Sequence, residues 1–341
     1  LAQRVQEALA AGELVALPTE TVYGLVARAD QPAAIERLRA VKGRSSETPF
    51  TWHAGSCERA LQGDIPLGAV VRRLTDRYWP GPLTLVLPHV PPGLEPVAHE
   101  GWLGVRVPAH GGTRALLDSL PFPVVASSAN RSGETPLTEA ASVASQFEGQ
   151  VNCVLDGGPA PLAEGSSVLR LGPGQFELLR EGCLNAEDLR RVAGLRLLFV
   201  CTGNTCRSPM AEGMARQLLT EQLGSADLSR FGFEVQSAGV FAGQGSSASQ
   251  EAVKLLKRRS IDLGDHCAQP VSDALLEQAN RVYCLTRDHR DPLRERPAQE
   301  LQLPDPTGQD IPDPIGGGRK VYEACAEKIE ACLRARLHEW V

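Results

Sequence analysis

The sequence predicts two α/β units of different design in one chain, a mixed α/β unit followed by a parallel-sheet α/β unit. Three observations predict this. The 341 residues are about twice the length of an ordinary domain. From residue 195 onward, short apolar runs alternate with amphipathic stretches, as strands and helices do in a parallel sheet. Before that point the chain is richer in Pro and Gly, and its strand-like and helix-like segments are less regular. No internal repeat relates the halves. The join falls within residues 185–194 and carries no low-complexity linker.

In the first half, residues 5–11 and 33–41 read as helices, and 15–17, 83–87, 104–107, 124–126 and 167–171 as strands. In the second half, Leu195-Arg196-Leu197-Leu198-Phe199-Val200 is a nearly continuous apolar run, the mark of a strand buried on both faces. A loop follows, then Ser208-Pro209 and the periodic Met210, Met214, Leu218 and Leu219. Proline suits the first turn of a helix, so a helix starts there. Further strands are expected at 233–240 and 281–285, and helices at 249–259 and 322–340. In the last helix Cys325, Ile329, Cys332 and Leu333 fall on one face.

Hydrophobic residues at 42% and charged residues at 22% exclude a disordered or fibrous chain. No apolar run is long enough for a transmembrane helix. Leu1-Ala2-Gln3-Arg4 lacks the apolar core of a signal peptide, and without an initiator Met, residues ahead of Leu1 are expected. The net charge is -6, and acids outnumber bases in both halves. That argues against a surface that grips nucleic acid through its phosphates. Nine scattered cysteines, an odd number with no CxxC pair, fit reduced thiols in the cytoplasm better than a disulfide framework or a structural zinc site.

Cys201-Thr202-Gly203-Asn204-Thr205-Cys206-Arg207-Ser208 lies between the buried strand and the helix. Backbone N–H groups of such a loop, at a helix N-terminus, bind a tetrahedral anion. The Arg207 fork suits two phosphoryl oxygens. The same positive field favours the thiolate of Cys201, a nucleophile for phosphoryl transfer. Ser208 is placed to donate to that sulfur, Gly203 to permit a tight loop, and Asn204 to bond the loop backbone. Taken alone, a cysteine beside a capping serine is ordinarily a buried structural pair.

This segment resembles the low-molecular-weight protein tyrosine phosphatases, whose signature is C-X5-R-S, and the resemblance covers about residues 195–341. Ser237-Ala238-Gly239 and Asp313-Pro314-Ile315-Gly316-Gly317 match further family motifs. The resemblance makes Asp313 the general acid, then the base for water. Thr205 stands where most members carry an aliphatic residue. The protein-arginine phosphatase branch has this Thr and a similar DPxGG loop, which implies phosphoarginine proteins as substrate. Cys206 would either form a protective disulfide with Cys201 or fill space.

In the first half, six segments stand in order: Pro18-Thr19-Glu20-Thr21-Val22-Tyr23-Gly24, Lys42-Gly43-Arg44, Trp79-Pro80-Gly81-Pro82-Leu83-Thr84, Val105-Arg106-Val107-Pro108, Ser127-Ser128-Ala129-Asn130-Arg131-Ser132-Gly133 and Leu179-Arg180-Glu181-Gly182. Lys and Arg suit a polyphosphate, and hydroxyls and amides suit polar ligand groups. Alone, Lys42 and Arg44 would be a solvated helix end. The ordered set resembles the YrdC-like threonylcarbamoyl-AMP synthase family over about residues 1–190. That implies condensation of L-threonine, bicarbonate and ATP with release of pyrophosphate, and a product that feeds t6A modification of tRNA. By motif, Thr21, His53, Arg106, Ser128 and Ser166 would contact threonine. Lys42, Arg44, Thr48, Asn130 and Arg180 would contact ATP, with Mg²⁺ on its phosphates. Thr48 stands where many relatives have Asn or Lys. No residue is expected to hold a metal directly. The rival reading keeps a tyrosine phosphatase and makes the first half a non-catalytic nucleotide- or RNA-binding module.

Overall fold

The computed structural model describes residues 2–43 and 49–341. It divides into two compact units, Leu1–Leu189 and Arg190–Val341.

The first unit is built on a nine-stranded mixed sheet. Its strands are β1 (Val15–Leu17), β2 (Gly24–Arg28), β3 (Thr51–His53), β4 (Leu83–Leu87), β5 (Leu103–Arg106), β6 (Val124–Ser128), β7 (Cys153–Val154), β8 (Ser167–Gly172) and β9 (Gln175–Arg180). Their order is β7-β1-β2-β6-β3-β5-β4-β8-β9. The β1–β7, β3–β5 and β4–β8 pairs are parallel and the others antiparallel. The helix Ala2–Ala10 buries Val5, Ala8 and Leu9 against Leu116, Leu117 and Leu120. Truncating Leu9 or Leu117 to Ala would cost about 2–5 kcal/mol.

Several elements of this unit carry weak sequence signals. β3 is three residues long, and β9 is an edge strand with one buried residue, Phe176. The helices Gly68–Tyr78 and Gly111–Ser119 open on glycine, which reads as loop. The second is capped by a His110 ring nitrogen accepting from Thr113 N, in place of the usual hydroxyl or carboxylate.

The second unit has a four-stranded sheet of β10 (Arg196–Cys201), β11 (Glu234–Gly239), β12 (Arg281–Cys284) and β13 (Leu301–Gln302), ordered β11-β10-β12-β13 and wholly parallel. Strand β10 is buried along all but its first residue, as its apolar run predicts. The chain leaves β10 for β11 on one side and leaves β12 for β13 on the other. The carboxyl end of β10 is therefore the switch point at which open parallel sheets bind ligands. The last helix, Arg319–Trp340, buries Cys325, Ile329, Cys332 and Leu333 on one face as expected. Trp340 Nε1 donates to Tyr283 Oη at 2.9 Å, and the Tyr283 ring stacks on Phe199 of β10 with centroids 5.5 Å apart.

Candidate active sites

In the first unit one face of the mixed sheet floors a cavity of about 440 Å³, the size of a small-molecule site. Strand register brings its polar residues together. β3 and β5 pair His53 with Arg106, and β2 and β6 pair Gly24 with Ser128. Thr84 Oγ1 of β4 lies 2.9 Å from Ser166 Oγ, just ahead of β8. Arg180 of β9 donates to Ser166 O from Nε at 3.0 Å and from Nη2 at 2.8 Å. Thr21, His53, Arg106, Ser128, Ser166 and Arg180 all line the cavity.

The electrostatics are organised around Arg106. Its Nη2 donates to Glu20 Oε1 at 2.5 Å and to Thr21 Oγ1 at 2.9 Å, and its Nε donates to Gly81 O at 3.1 Å. Glu20 Oε2 accepts from Ala109 N at 2.7 Å. His53 Nδ1 lies 3.1 Å from Thr51 O. Burial, and next the Arg106 charge, push the His53 pKa down to about 4, so the ring is neutral at physiological pH.

Lys42 and Asn130 stand behind the Ser128 face and are not among the lining residues. Lys42 is fully buried, which overturns the solvated helix end. Its Nζ donates to Ser128 O, to Asn130 O and, at 3.0 Å, to Asn130 Oδ1. Ser128 Oγ donates to the same Asn130 Oδ1 at 2.5 Å. Lys42 therefore fixes the turn that presents Ser128. Arg44 and Thr48 lie outside the described residues.

Sequence reasoning missed Trp102 and Arg170 and gave Ser127 of the motif no role, and all three line the cavity. The Arg170 guanidinium lies over the Trp102 ring, 4.2 Å from its centroid. Ser127 Oγ and Arg170 Nε are buried without a hydrogen-bond partner, a rare condition that suits a ligand-contacting wall. Among the described residues no three His, Cys, Asp or Glu side chains gather as metal ligands.

In the second unit the loop from Cys201 to the helix Arg207–Leu223 sits at the carboxyl end of β10. Cys201 is buried, with Sγ 3.0 Å from Ser208 Oγ. The left-handed residue of the loop is Asn204, at φ 54°, and not Gly203. The Asn204 side chain also bonds differently from expectation. Nδ2 donates to Ser208 Oγ at 2.9 Å and to Ser237 Oγ at 2.8 Å, and Oδ1 accepts from Gln269 N at 2.9 Å. His266 Nε2 lies 2.7 Å from Asn204 O, a contact sequence reasoning missed. Gly239 explains its motif: a Cβ there would stand 2.5 Å from Thr202 O and 2.8 Å from Asn204 N.

Arg207 is buried. Its Nη2 donates to Asp313 Oδ2 at 2.5 Å and to Thr202 Oγ1 at 3.2 Å, and its Nη1 donates to Ile311 O at 3.3 Å. Thr205 is half-buried beside the loop, and its Oγ1 makes only a weak 3.7 Å contact with Cys206 Sγ. Cys206 is a free thiol, 3.3 Å from Tyr322 Oη.

A sheet-floored small-molecule cavity and a cysteine phosphate cradle define an enzyme chain with two separate sites. Residues 7–182 match the family model described as telomere recombination, for Sua5, YciO and YrdC, and residues 196–340 match that for low molecular weight phosphotyrosine protein phosphatase. The chain belongs to both families, one in each half. The threonylcarbamoyl-AMP synthase of Pyrococcus abyssi is 38% identical over 213 residues, 60% of this chain and 60% of that protein. The protein-arginine-phosphatase of Geobacillus stearothermophilus is 38% identical over 145 residues, 40% of this chain and 90% of that protein. The solved structure of P. abyssi Sua5 complexed with L-threonine has a TM-score of 0.51 at 28% identity, covering 80% of this chain and 89% of that one. The chain spans 60% of the P. abyssi synthase and 53% of its Bacillus subtilis counterpart.

Proposed function

We propose that the chain is bifunctional. The first unit makes threonylcarbamoyl-AMP from L-threonine, bicarbonate and ATP, releasing pyrophosphate, and its product supplies tRNA t6A modification. The second unit is a cysteine-dependent phosphatase of phosphoarginine proteins. A cytoplasmic location is supported by nine free cysteines.

The synthase reading rests on six polar side chains of four types, Thr, Ser, His and Arg, converging on one cavity. Thr21, His53, Arg106, Ser128 and Ser166 hold threonine. Neutral His53 is an acceptor that adds no charge beside the substrate amine. Arg180 holds ATP at the Ser166 side, Lys42 and Asn130 act from behind Ser128, and by motif Arg44 and Thr48 complete the nucleotide contacts. Mg²⁺ bound to the nucleotide phosphates would offset their charge. The test is incorporation of labelled bicarbonate with threonine and ATP, with pyrophosphate counted. ATP binding without threonine-dependent pyrophosphate release returns this half to a non-catalytic binding module.

The phosphatase reading rests on the Cys201–Ser208 pair at the switch point of a parallel sheet. The thiolate of Cys201 attacks phosphorus, the N–P bond breaks, and Asp313 protonates the departing guanidine nitrogen. Water, deprotonated by Asp313, then cleaves the thiophosphate. The test is kcat/KM on phosphoarginine and phosphotyrosine peptides. Preference for tyrosine gives the substrate to the rival reading.

A further inference from the structure

A line of hydrogen-bonded side chains in the second unit ends on the phosphate-binding guanidinium. His289 lies in the short helix Arg287–Arg290, after β12, and is only 4% exposed. Its Nδ1 is 2.8 Å from Thr286 Oγ1 and its Nε2 is 2.8 Å from Thr202 Oγ1. Thr202 Oγ1 accepts from Arg207 Nη2 at 3.2 Å, and the same nitrogen donates to Asp313.

Two details set this apart from ordinary loop packing. Thr286 is the N-cap residue of that helix, yet its side chain makes no capping bond. A capping hydroxyl normally serves a backbone N–H, and here it meets the imidazole. Thr202 is exposed, yet its hydroxyl is held between a ring and a guanidinium. Burial, and next the Arg207 charge, push the His289 pKa down to about 4, against Asp288, Asp313 and Asp310, which face it and act the other way. A neutral imidazole offers one donor and one acceptor, so it orders both hydroxyls without placing a second cation beside Arg207.

We propose that His289 is a positioning residue of the phosphate cradle: through the Thr202 hydroxyl it fixes the direction in which the Arg207 fork meets a bound phosphoryl group. The inference rests on the phosphatase reading, and a fork is useful only when correctly aimed.

The test compares the full chain with His289→Ala, His289→Gln, Thr202→Val and the double variant Thr202→Val/His289→Ala. Inorganic phosphate binding is measured by calorimetry, and kcat and KM are measured on para-nitrophenyl phosphate. His289→Ala and Thr202→Val are each expected to weaken phosphate binding and raise KM about tenfold, the scale of one misdirected charge-assisted hydrogen bond. The double variant falls no further than either single one. Gln, whose amide reaches toward the Nε2 position, recovers most of the loss. Unchanged phosphate affinity in Thr202→Val or His289→Ala overturns the proposal, whatever the melting temperature, as do losses that multiply in the double variant or a Gln variant as weak as Ala. Thr202 is exposed, so Thr202→Val decides the matter if His289→Ala does not fold. A wild-type chain that binds phosphate without Cys201-dependent turnover overturns the phosphatase reading alone, and the affinities still decide the role of His289. A wild-type chain that binds no phosphate overturns both.

Discussion

The carboxylate Oδ2 of Asp313 stands 2.5 Å from Nη2 of Arg207, so the proposed acid and the phosphate-binding cation hold one another. Arg207 is buried, while the Asp313 side chain is 39% exposed. An arriving phosphoryl group must compete with that carboxylate for the fork. Asp313→Asn removes the competitor and the acid together. A partly exposed pair is worth at most about 1 kcal/mol, so inorganic phosphate is expected to bind up to about fivefold tighter. Turnover falls, most for substrates with poor leaving groups, which need the proton most. Equal slowing of good and poor leaving groups would give Asp313 a structural role only.

Cys201→Ser keeps the Ser208 neighbour and removes the sulfur. Serine supplies no thiolate-like nucleophile near neutral pH, so turnover is expected to vanish while the melting temperature stays close to wild type. Arg207→Lys is nearly as damaging, because an ammonium lacks the planar fork. Residual turnover of a few per cent in Cys201→Ser would remove the covalent mechanism.

Lys42 is a stability residue as much as a nucleotide one. With its amino group bonded to Ser128 and Asn130, Lys42→Ala leaves buried acceptors unpaired and a gap behind the Ser128 face. The expected cost is about 2–4 kcal/mol. In a unit of this size that lowers the melting temperature by about 5–15 °C. The sequence alone suggests the opposite, an ATP contact whose loss weakens nucleotide use far more than stability. Calorimetry of the variant separates the two, since an unshifted transition returns Lys42 to an ordinary ligand contact.

The pH dependence follows from two histidines. His53 and His289 both titrate at about 4 in the folded chain, below the ordinary 6.5. The unfolded chain therefore takes up these protons first, and protonation favours unfolding. Their stabilising effect is complete above about pH 6.5 and is lost as the pH falls toward 4. For the deeply buried His289 the loss approaches about 3 kcal/mol. Urea midpoints between pH 7 and 4 check this. His289→Gln has no ring to titrate and is expected to show a shallower decline, and an identical slope would show that the ring stays solvated.

Much of both sites was legible because chemistry concentrates where the chain reverses. The phosphate loop could be read whole: an apolar strand, a C-X5-R-S segment and a helix opening on proline. The cavity could be read only at its motif residues, although strand periodicity extends them. Trp102 and Gly104 lie four and two residues before Arg106, Thr51 two before His53, and Val168 and Arg170 two and four after Ser166, and all line the cavity. Alternate strand residues share a face, so naming Arg106 already implicated Trp102. Contacts from distant segments were not legible. No local pattern ties His266 to Asn204, or His289 to Thr202, because those pairs form only when segments more than 60 residues apart in the chain are folded together.

Thr205 carries the choice of substrate. It is half-buried beside the phosphate loop, its Oγ1 would lie 3.6 Å from a Cβ on Gly203, and its hydroxyl makes only a weak contact with Cys206. That hydroxyl is therefore available to a substrate. A phosphorylated guanidinium presents several N–H groups next to the phosphorus, and a hydroxyl at the rim can accept from one of them or from water beside it. An aliphatic side chain would desolvate those groups without compensation, and it would pack better against a phenyl ring. One hydrogen bond to a charged group is worth about 1.5–3 kcal/mol, roughly a tenfold to hundredfold effect. Thr205→Ile is expected to lower kcat/KM on phosphoarginine peptides by that factor and to leave phosphotyrosine turnover equal or higher. Thr205→Ser, which keeps the hydroxyl, stays close to wild type on phosphoarginine. If the ratio of the two substrates is the same in wild type and Thr205→Ile, the hydroxyl does not select the guanidinium, and tyrosine becomes the better-supported substrate.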